Sequence, residues 1–153
     1  MNKNFIIVLT LFISCNSNII NSNNEEIVYN PEISIKKGDE NINIIIHDYP
    51  VITGFQFDLS QSENLNIISL QVSGGVSEEH DFHIATSINN LRILGFSLTE
   101  LAIPQLSQDS SILITLQIEY EGNGDIGLSN VIFSGENGTE IEISTNPQTI
   151  NLP

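Results

Sequence analysis

Positive charge is scarce in this sequence, which has 4 Lys or Arg residues against 19 Asp or Glu residues and a formal net charge of −15. Phosphate backbones and anionic lipid surfaces repel such a chain, and we therefore expect no nucleic-acid partner. Tryptophan is absent and tyrosine occurs 3 times, so the flat aromatic platform that usually stacks on crystalline polysaccharide is missing. The single cysteine excludes an internal disulfide bond.

The sequence also lacks a hydrophobic run long enough to span a membrane. Residues 5–13 (FIIVLTLFI) are apolar apart from Thr10. As a helix this run rises about 13 Å, whereas the hydrocarbon core of a bilayer is roughly 30 Å thick. A short apolar run that follows a basic residue, here Lys3, is typical of a secretory signal peptide.

The end of this run resembles a bacterial lipobox. Ser14 stands where a small residue precedes the cleavage site, Cys15 stands where the lipid is attached, and Phe12 occupies a position at which the pattern prefers Leu. The resemblance implies a signal peptide over residues 1–14 and an exported lipoprotein, anchored to a membrane of the bacterial cell envelope or surface through the lipid alone. The alternative is an ordinary secretory signal with a chance cysteine.

Polar residues dominate the stretch that follows. Residues 16–30 are rich in Asn and show no periodicity, which is typical of a flexible tether. We expect the lipidated cysteine and the tether to cover residues 15–31, a folded domain to cover residues 32–145, and a C-terminal tail to cover residues 146–153. The alternative for residues 27–29 is a short edge strand.

Alternation of large apolar side chains with small or polar ones marks the centre of the domain. Residues 52–59 (ITGFQFDL) predict a strand in which three side chains point inward: Phe55, Phe57 and Leu59. Residues 93–98 (ILGFSL) repeat the pattern, and here the side chains expected to point inward are Leu94, Phe96 and Leu98. These two strands predict the centre of a core between two sheets.

Short strands follow one another along the whole domain. Nine are predicted, and they begin near residues 33, 42, 52, 65, 82, 91, 112, 126 and 141. In the fourth we expect Ile68, Leu70 and Val72 to share one face, and we expect residues 105–111 to form a polar loop. Apolar residues nowhere in the domain keep a helical period for three turns, and turn residues separate the strands. This pattern predicts an all-β sandwich.

Three segments of the domain are similar to the bacterial cohesin family. They are residues 54–59 (GFQFDL), 94–98 (LGFSL) and 127–131 (GLSNV). The resemblance covers residues 32–145 and implies a nine-stranded jelly-roll-like β-sandwich, related in fold to one group of cellulose-binding carbohydrate modules. It also implies a non-catalytic role, since cohesins hold dockerin-bearing proteins, often glycoside hydrolases, on scaffolds or cell surfaces.

The resemblance places a partner on the outward face of the sheet built from the third, fifth, sixth and eighth strands. Alternation predicts which residues of the third and sixth strands face outward there: Ile52, Gly54, Gln56, Asp58, Ile93, Gly95 and Ser97. Cohesins often carry an Asn-x-Asp pair just before the third-strand aromatics, but Ile52 and Gly54 stand at those positions. We therefore carry no dockerin contact over to them and expect hydrophobic contact instead. The alternative is that the tether or residues 105–111 cover this patch.

Metal-site and catalytic patterns are weak. Residues 78–83 (EEHDFH) gather carboxylates and imidazoles, but His80 and His83 fall on opposite faces of a strand, and no third His or Cys is spaced to complete a zinc site. Asp125 offers oxygen ligands of the kind that calcium takes, without the spacing of a defined loop. No nucleophile-elbow serine or Gly-rich phosphate loop occurs. We expect no metal, no cofactor and no enzymatic activity.

These observations favour a surface-anchored, cohesin-like module that holds a protein partner, dockerin-like and linked to polysaccharide degradation. The first alternative is a carbohydrate-binding module of similar fold, with polysaccharide itself as the partner. An enzyme or its accessory subunit is the second alternative. The missing aromatic platform weighs against the first, and the missing catalytic motifs weigh against the second.

Overall fold

The computed structural model describes residues 27–146 and 149–153. Within them the chain forms the following elements: β1 (Glu32–Lys37), β2 (Ile42–Tyr49), β3 (Gly54–Gln61), β4 (Leu65–Ser73), α1 (Gly75–Glu79), β5 (Phe82–Ser87), β6 (Arg92–Ser97), β7 (Leu106–Gly122), β8 (Gly124–Ser134), β9 (Glu140–Ile141), β10 (Ser144–Thr145) and β11 (Ile150–Leu152). A 3₁₀ turn at Glu136–Gly138 joins β8 to β9.

The strands form two sheets with one hydrophobic core between them. The first sheet has the order β10-β1-β2-β7-β4, and the second has the order β11-β8-β3-β6-β5, with β9 paired to β8. Neighbouring strands are antiparallel except β1 and β10, which are parallel. The predicted all-β sandwich is confirmed.

Isoleucines supply the first sheet's side of the core. They alternate with polar or more exposed residues in β1 and β2, and each is at most 4% exposed: Ile33, Ile35, Ile42, Ile44 and Ile46. β-Branched side chains pack well on a pleated surface, because few rotamers are lost when they are fixed there. The sequence of these two strands therefore determines both their extended form and the direction in which they face.

Phenylalanines supply the second sheet's side. The ring of Phe55 stacks against three others, with centroid distances of 6.0 Å to Phe57, 6.1 Å to Phe82 and 5.7 Å to Phe133. Such offset pairs add to the free energy of burial. Phe55, Phe57 and Leu59 are all buried, so the inward direction predicted for these three side chains is confirmed.

The buried carboxylate of Asp48 links the segment before β1 to the start of β7. Asp48 has a left-handed backbone, with a φ of 47°. Its Oδ1 accepts a hydrogen bond from the N–H of Gln108 at 3.0 Å, and its Oδ2 accepts one from the N–H of Asn30 at 2.8 Å. The N–H of Gln108, and next that of Asn30, hold the pKa of Asp48 below its usual value. The segment that leads into β1 is thereby fixed against β7.

Two strand predictions differ from the structure. A bulge in β4 between Ile67 and Ser69 reverses the side-chain directions, so Ile67 is buried and Ile68 is 48% exposed, which makes the predicted inward direction of Ile68 wrong. Residues 105–111 were predicted as a loop, but β7 begins at Leu106 and pairs with β2 over this segment. Its polar side chains face solvent while its backbone extends the sheet.

The short elements differ as well. α1 was not predicted, because its single turn is too short to show a helical period in the sequence. It packs on β7, where a Cβ on Gly75 would lie 2.5 Å from the carbonyl oxygens of Ile112 and Leu113. The predicted ninth strand divides into β9 and β10, which belong to different sheets. β11 lies within the predicted C-terminal tail and pairs with β8, and Leu152 is buried there.

The predicted signal peptide, the lipid attachment site Cys15 and most of the tether lie outside the described residues. Residues 27–31 form no strand, so the edge strand considered for residues 27–29 does not occur. Within the described part of the chain, no helix has the length and apolar character needed to cross a membrane.

Candidate functional site

The outward side of the second sheet carries an ordered array of side chains, which we call the outer face. Three cross-strand rows define it: Ser134–Gly54–Phe96–His83, Ile132–Gln56–Leu94–Ala85 and Ser129–Asp58–Arg92–Ser87. Each row runs from β8 through β3 and β6 to the edge strand β5. Because paired residues in neighbouring strands lie about 5 Å apart, side chains within a row are in reach of one another.

An apolar groove crosses the middle of the outer face. It is open to solvent, has a volume of about 300 Å³, and is lined by Thr53, Gly54, Phe55, Gln56, Leu94, Gly95, Phe96, Ile132 and Ser134. Ile132 is 51% exposed and Leu94 is 37% exposed, and Gln56 lies between them. The groove therefore offers two large aliphatic side chains with one amide between them.

The side-chain directions predicted for β6 are wrong. Ile93 has no exposed surface and Gly95 is buried, whereas Leu94 and Phe96 point outward. The physical reason lies on β3, because the ring of Phe55 covers Gly95 so closely that a Cβ there would lie 2.2 Å from the ring. Gly95 must face inward to make room for this ring, and its neighbours follow by alternation.

Two further predictions are corrected. Ile52 is fully buried and forms an isolated bridge ahead of β3, so it belongs to the core and not to the outer face. Ser97 pairs with the buried Phe82 at the end of the sheet, on the inward side, while Leu98, which was expected to point inward, is 73% exposed. The predicted residues that do lie on the outer face are Gly54, Gln56 and Asp58.

An ion pair occupies the third row of the outer face. Nε of Arg92 donates to Oδ1 of Asp58 at 2.7 Å, and Nη2 donates to Oδ2 at 3.0 Å. Nδ2 of Asn130 donates to Oδ2 of the same carboxylate at 2.8 Å. The guanidinium, assisted by the amide, keeps the pKa of Asp58 below its usual value although burial acts to raise it. The carboxylate is therefore charged at neutral pH, and Arg92 neutralises it.

A bulge in β8 positions the amide of this cluster. The register of β8 against β3 shifts between Gln56 and Asp58, and within the shift Asn130 adopts a φ of 49°. An extra residue at a bulge bends the strand and redirects side chains. Here it turns Asn130 toward Asp58 and leaves Ile132 outward with Phe133 inward.

The outer face has little net charge, although the chain carries −15. The carboxylates in β3, β5, β6 and β8 belong to Asp58, which is paired with Arg92, and to Asp125. Asp125 lies at the far end of β8, where Nδ2 of Asn151 donates to its Oδ1 at 3.0 Å. In contrast, β1, β2 and β7 of the first sheet contain Glu32, Asp48, Asp109, Glu119 and Glu121.

The residues of the outer face that sequence reasoning missed include Leu94, Phe96, Ile132, Arg92 and Asn130. A signal existed for Arg92, which is the sole Lys or Arg after residue 37 of the sequence. A cation retained in so acidic a chain points to a specific acceptor. No signal existed for Asn130 and Ile132, because the bulge that directs them is not visible as a periodicity.

The residues considered as metal ligands lie apart. His80 follows α1, whereas His83 lies in β5 with its ring edge-on to Phe96 at a centroid distance of 5.3 Å. Asp125 is engaged by Asn151. Across residues 27–146 and 149–153, no group of three or more His, Cys, Asp or Glu side chains is placed to hold a metal ion.

Comparison with known proteins adds information about the fold. No family model matches the sequence, and no curated protein matches it. Among solved structures, the chain is similar to one chain of the Coh-OlpC–Doc435 complex, a type I cohesin–dockerin complex from Clostridium thermocellum. The TM-score is 0.56 at 11% identity, over 81% of this chain and 94% of that one.

Two further solved structures give the same result. The third cohesin ScaC from Acetivibrio cellulolyticus, solved in complex with the ScaB dockerin, matches with a TM-score of 0.55 at 14% identity, over 80% of this chain and 98% of that one. A non-cellulosomal cohesin from the archaeon Archaeoglobus fulgidus matches with a TM-score of 0.52 at 12% identity, over 76% of this chain and 86% of that one. The fold is therefore a cohesin-like β-sandwich, as predicted.

Proposed function

We propose that this chain is a non-catalytic binding module that docks a protein partner on the outer face. The observation that carries the proposal is the apolar groove between Ile132 and Leu94, whose side chains are 51% and 37% exposed. On the same sheet face the charge of Asp58 is balanced by Arg92. Exposing such groups to water is unfavourable unless a partner covers them, and apolar patches with polar rims often mark protein interfaces.

The charge distribution supports docking at this place. A chain of net charge −15 keeps its unpaired carboxylates off the centre of one sheet face. Covering an unpaired carboxylate with a partner would reduce the binding free energy by roughly several kcal/mol, because the charge would lose its hydration. A neutral, apolar centre avoids that cost, which supports the outer face as the surface that a partner covers.

The similar solved structures suggest the partner class. Two of them are cohesins in complexes with dockerins, and we propose a dockerin-like partner for this chain also. The Asn-x-Asp pair of many cohesins is replaced by Ile52 and Gly54, and Ile52 is buried. Affinity would therefore come from apolar contact at Leu94 and Ile132, with Gln56 as the polar contact. A dockerin-bearing polysaccharide-degrading enzyme is the partner we propose.

Direct binding of polysaccharide is less well supported. Sugar rings stack on exposed flat aromatic rings, and among the described residues Phe96 is the one phenylalanine, tyrosine or tryptophan on the outer face. Its ring is half-buried and contacts His83 edge-on. A single partly covered ring offers little stacking surface, so a protein partner fits this face better.

We also propose that the module is exported and anchored by a lipid on Cys15. The lipobox-like sequence supports this, and the folded domain starts close enough behind it for residues 16–30 to act as the tether. Cys15→Ala should abolish incorporation of a palmitate analogue in metabolic labelling, because the thiol that receives the lipid is gone. Equal labelling of Cys15→Ala and the unaltered chain would refute the anchor.

The docking proposal is tested with residues 15–153 carrying Cys15→Ser as bait in a native lysate and against a panel of type I dockerins. Ile132→Asp and Leu94→Asp should each weaken binding of the recovered partner at least tenfold, about 1.4 kcal/mol, by placing an unpaired charge in the interface. Ile68→Asp is the matched control, since Ile68 is similarly exposed, at 48%, on the other sheet.

The expected pattern is loss of binding in the two outer-face variants and unchanged binding in the Ile68 variant, with all three folded by circular dichroism. Equal affinities for all three variants would move the site off the outer face.

A further inference from the structure

The edges of the two sheets differ in how far they are protected. On one side of the sandwich the edges are formed by β10 in the first sheet and by β9 and β11 in the second, and these strands have only two or three residues each. On the other side the edges are the longer strands β4 and β5. Because a short edge strand offers few unpaired backbone groups, a second chain can pair most extensively with β4 or β5.

The edge strand β4 is protected in two ways. Its register against β7 shifts between Ile67 and Ser69, and a bulge of this kind interrupts the pairing of an edge with another chain. Carboxylates also lie on the neighbouring strand, where Glu119 is opposite Ser69 and Glu121 is opposite Asn66. A strand added to β4 would therefore meet an irregular ladder beside two negative charges.

The edge strand β5 has neither form of protection. Its six residues (FHIATS) pair with β6 in one unbroken register, from Phe82 opposite Ser97 to Ser87 opposite Arg92. The strand contains no Asp, Glu, Lys, Arg or Pro, and charged residues and proline are the ones that commonly block an edge. Within the described part of the chain, no strand pairs with the outer edge of β5. Every second residue therefore directs its backbone N–H and C=O groups away from the sheet.

The side chains show that the edge of β5 is accessible. Thr86 lies opposite Ile93, which is fully buried on the core side of the sheet, yet Thr86 is exposed. An exposed residue on the core side of an edge strand means that the edge is uncovered at that position. On the outward side, His83 and Ala85 are exposed as well. Ile84 is only partly buried against the core, so an apolar side chain on an added strand would complete its burial.

The charge of the chain favours a basic occupant of this edge. The formal net charge is −15, so a second copy of the chain would be repelled. Asp81 directly precedes β5 and is exposed, which places a carboxylate beside one end of any strand that lies along β5. Both charges attract a segment that carries Lys or Arg. The backbone pairing itself requires only that the segment be extended.

We infer that the free edge of β5 accepts an extended, basic segment of a partner protein, which adds a strand to the second sheet. The site lies at the edge of the sheet and is separate from the groove between Ile132 and Leu94, so it goes beyond the proposed function. Main-chain hydrogen bonds supply the affinity in this mode of recognition, and alternate side chains supply the specificity. Opposite Ile84 and Thr86 the segment places β-branched side chains, which pack well on a pleated surface.

The probe is a synthetic peptide of about eight residues, roughly 26 Å long when extended. It alternates valine with threonine and carries a lysine at each end. Hydrogen exchange is followed by NMR in the ¹⁵N-labelled protein, residues 15–153 with Cys15→Ser. Every second amide of residues 82–87 should exchange about tenfold more slowly when the peptide is bound, because the free N–H groups of the edge become hydrogen-bonded.

Two control peptides separate backbone pairing from the other contributions. In the first, the central residues are N-methylated, which removes the N–H donors and keeps the side chains and the charge. In the second, glutamate replaces both lysines. The first should give no slowing of exchange, and the second should bind at least threefold more weakly than the lysine peptide in low salt, because the chain repels its carboxylates.

A substitution on the edge supplies the second measurement. Thr86→Lys places a charge on the core side of the edge strand, which blocks the approach of another strand, and should weaken binding of the lysine peptide at least tenfold. Thr145→Lys is the matched control, since Thr145 is an exposed threonine on β10 and the change in net charge is the same. It should bind at least threefold more tightly than Thr86→Lys. Circular dichroism checks that both variants are folded.

Each contrary outcome overturns a different part of the inference. Equal slowing by the N-methylated peptide would exclude strand addition, and equal binding of the glutamate peptide would exclude a basic partner. Dimerisation of the protein alone in sedimentation, abolished by Thr86→Lys, would assign the edge to a second copy and overturn the inference. Absence of any shift in residues 82–87 up to about 1 mM peptide, a binding free energy of about −4 kcal/mol, would refute the site. The docking proposal would still stand, because the Ile132→Asp variant tests it separately.

Discussion

Gly95→Ala should destabilise the domain, because the ring of Phe55 already fills the space that a Cβ at position 95 would need. A Cβ on Gly95 would lie 2.2 to 2.7 Å from three atoms of Phe55, whereas carbon atoms in contact are normally about 3.5–4.0 Å apart. The ring would have to move by about 1 Å or more, but Phe57, Phe82 and Phe133 surround it at centroid distances of 5.7 to 6.1 Å.

Overpacking of this kind costs about 1–3 kcal/mol, and the lower entropy of alanine in the unfolded chain returns about 0.4–1 kcal/mol. We expect a net loss of about 1–2 kcal/mol, which lowers the melting temperature by about 4–8 °C in a domain of this size. Thermal unfolding followed by circular dichroism measures it.

A matched control and a double variant make the test specific to this contact. Gly54→Ala lies one row away on the same sheet, and its Cβ would meet the hydroxyl of Ser134 at 2.9 Å, which can rotate aside at little cost. Phe55→Leu should relieve part of the strain, so the double variant Phe55→Leu, Gly95→Ala should lose less stability than the two single losses added together. A Gly95→Ala protein that melts within 1 °C of the unaltered protein would refute the inward direction of Gly95.

Two further predictions concern the direction of β6 and the buried carboxylates. Ile93→Asp should prevent folding, because it removes a fully buried isoleucine and buries a charge. Leu94→Asp should change the free energy of unfolding by no more than about 1 kcal/mol. Urea unfolding that finds Leu94→Asp less stable than Ile93→Asp would contradict the structure. The free energy of unfolding should be constant from about pH 6 to 5 and fall below about pH 4. The pKa values of Asp48 and Asp58 are lower in the folded protein than in the unfolded chain, so their ionisation stabilises the fold. This stabilisation is complete above the unfolded pKa of about 3.9 and is lost as the pH falls through the folded pKa. Asp58→Asn should be less stable at pH 6 and show a shallower acid loss, and an identical acid profile would exclude Asp58 from it.

The sandwich could be predicted from the sequence because its first sheet is unambiguous. In β1 and β2 one set of alternating positions is almost all isoleucine and the other is mostly polar, so one direction alone buries the apolar set. The same holds for Phe55 and Phe57 in β3. Elements without such a contrast were missed: α1 has a single turn, and β11 contributes one buried side chain, Leu152.

The candidate site was predicted only in part because β6 is apolar on both sides. Ile93 on one side and Leu94 with Phe96 on the other give no contrast in hydrophobicity, so alternation alone cannot choose a direction. The choice is made across the sheet, where Phe55 fits over Gly95 and over no larger residue. That contact joins residues 40 positions apart in the sequence, and a pattern read along one strand does not contain it.

The bulge in β8 determines two features of the outer face, the outward direction of Ile132 and the contact between Asn130 and Asp58. From Asp58 opposite Ser129 to Gln56 opposite Ile132, β3 advances two residues while β8 advances three. In a regular ladder Phe133 would point outward and Ile132 inward, and Asn130 would not face Asp58. The single extra residue therefore creates the apolar groove and also directs the amide that helps Arg92 hold Asp58 ionised. Loss of the bulge would remove both features at once, so the apolar groove and the hydrogen bond from Asn130 to Asp58 are two results of one backbone irregularity.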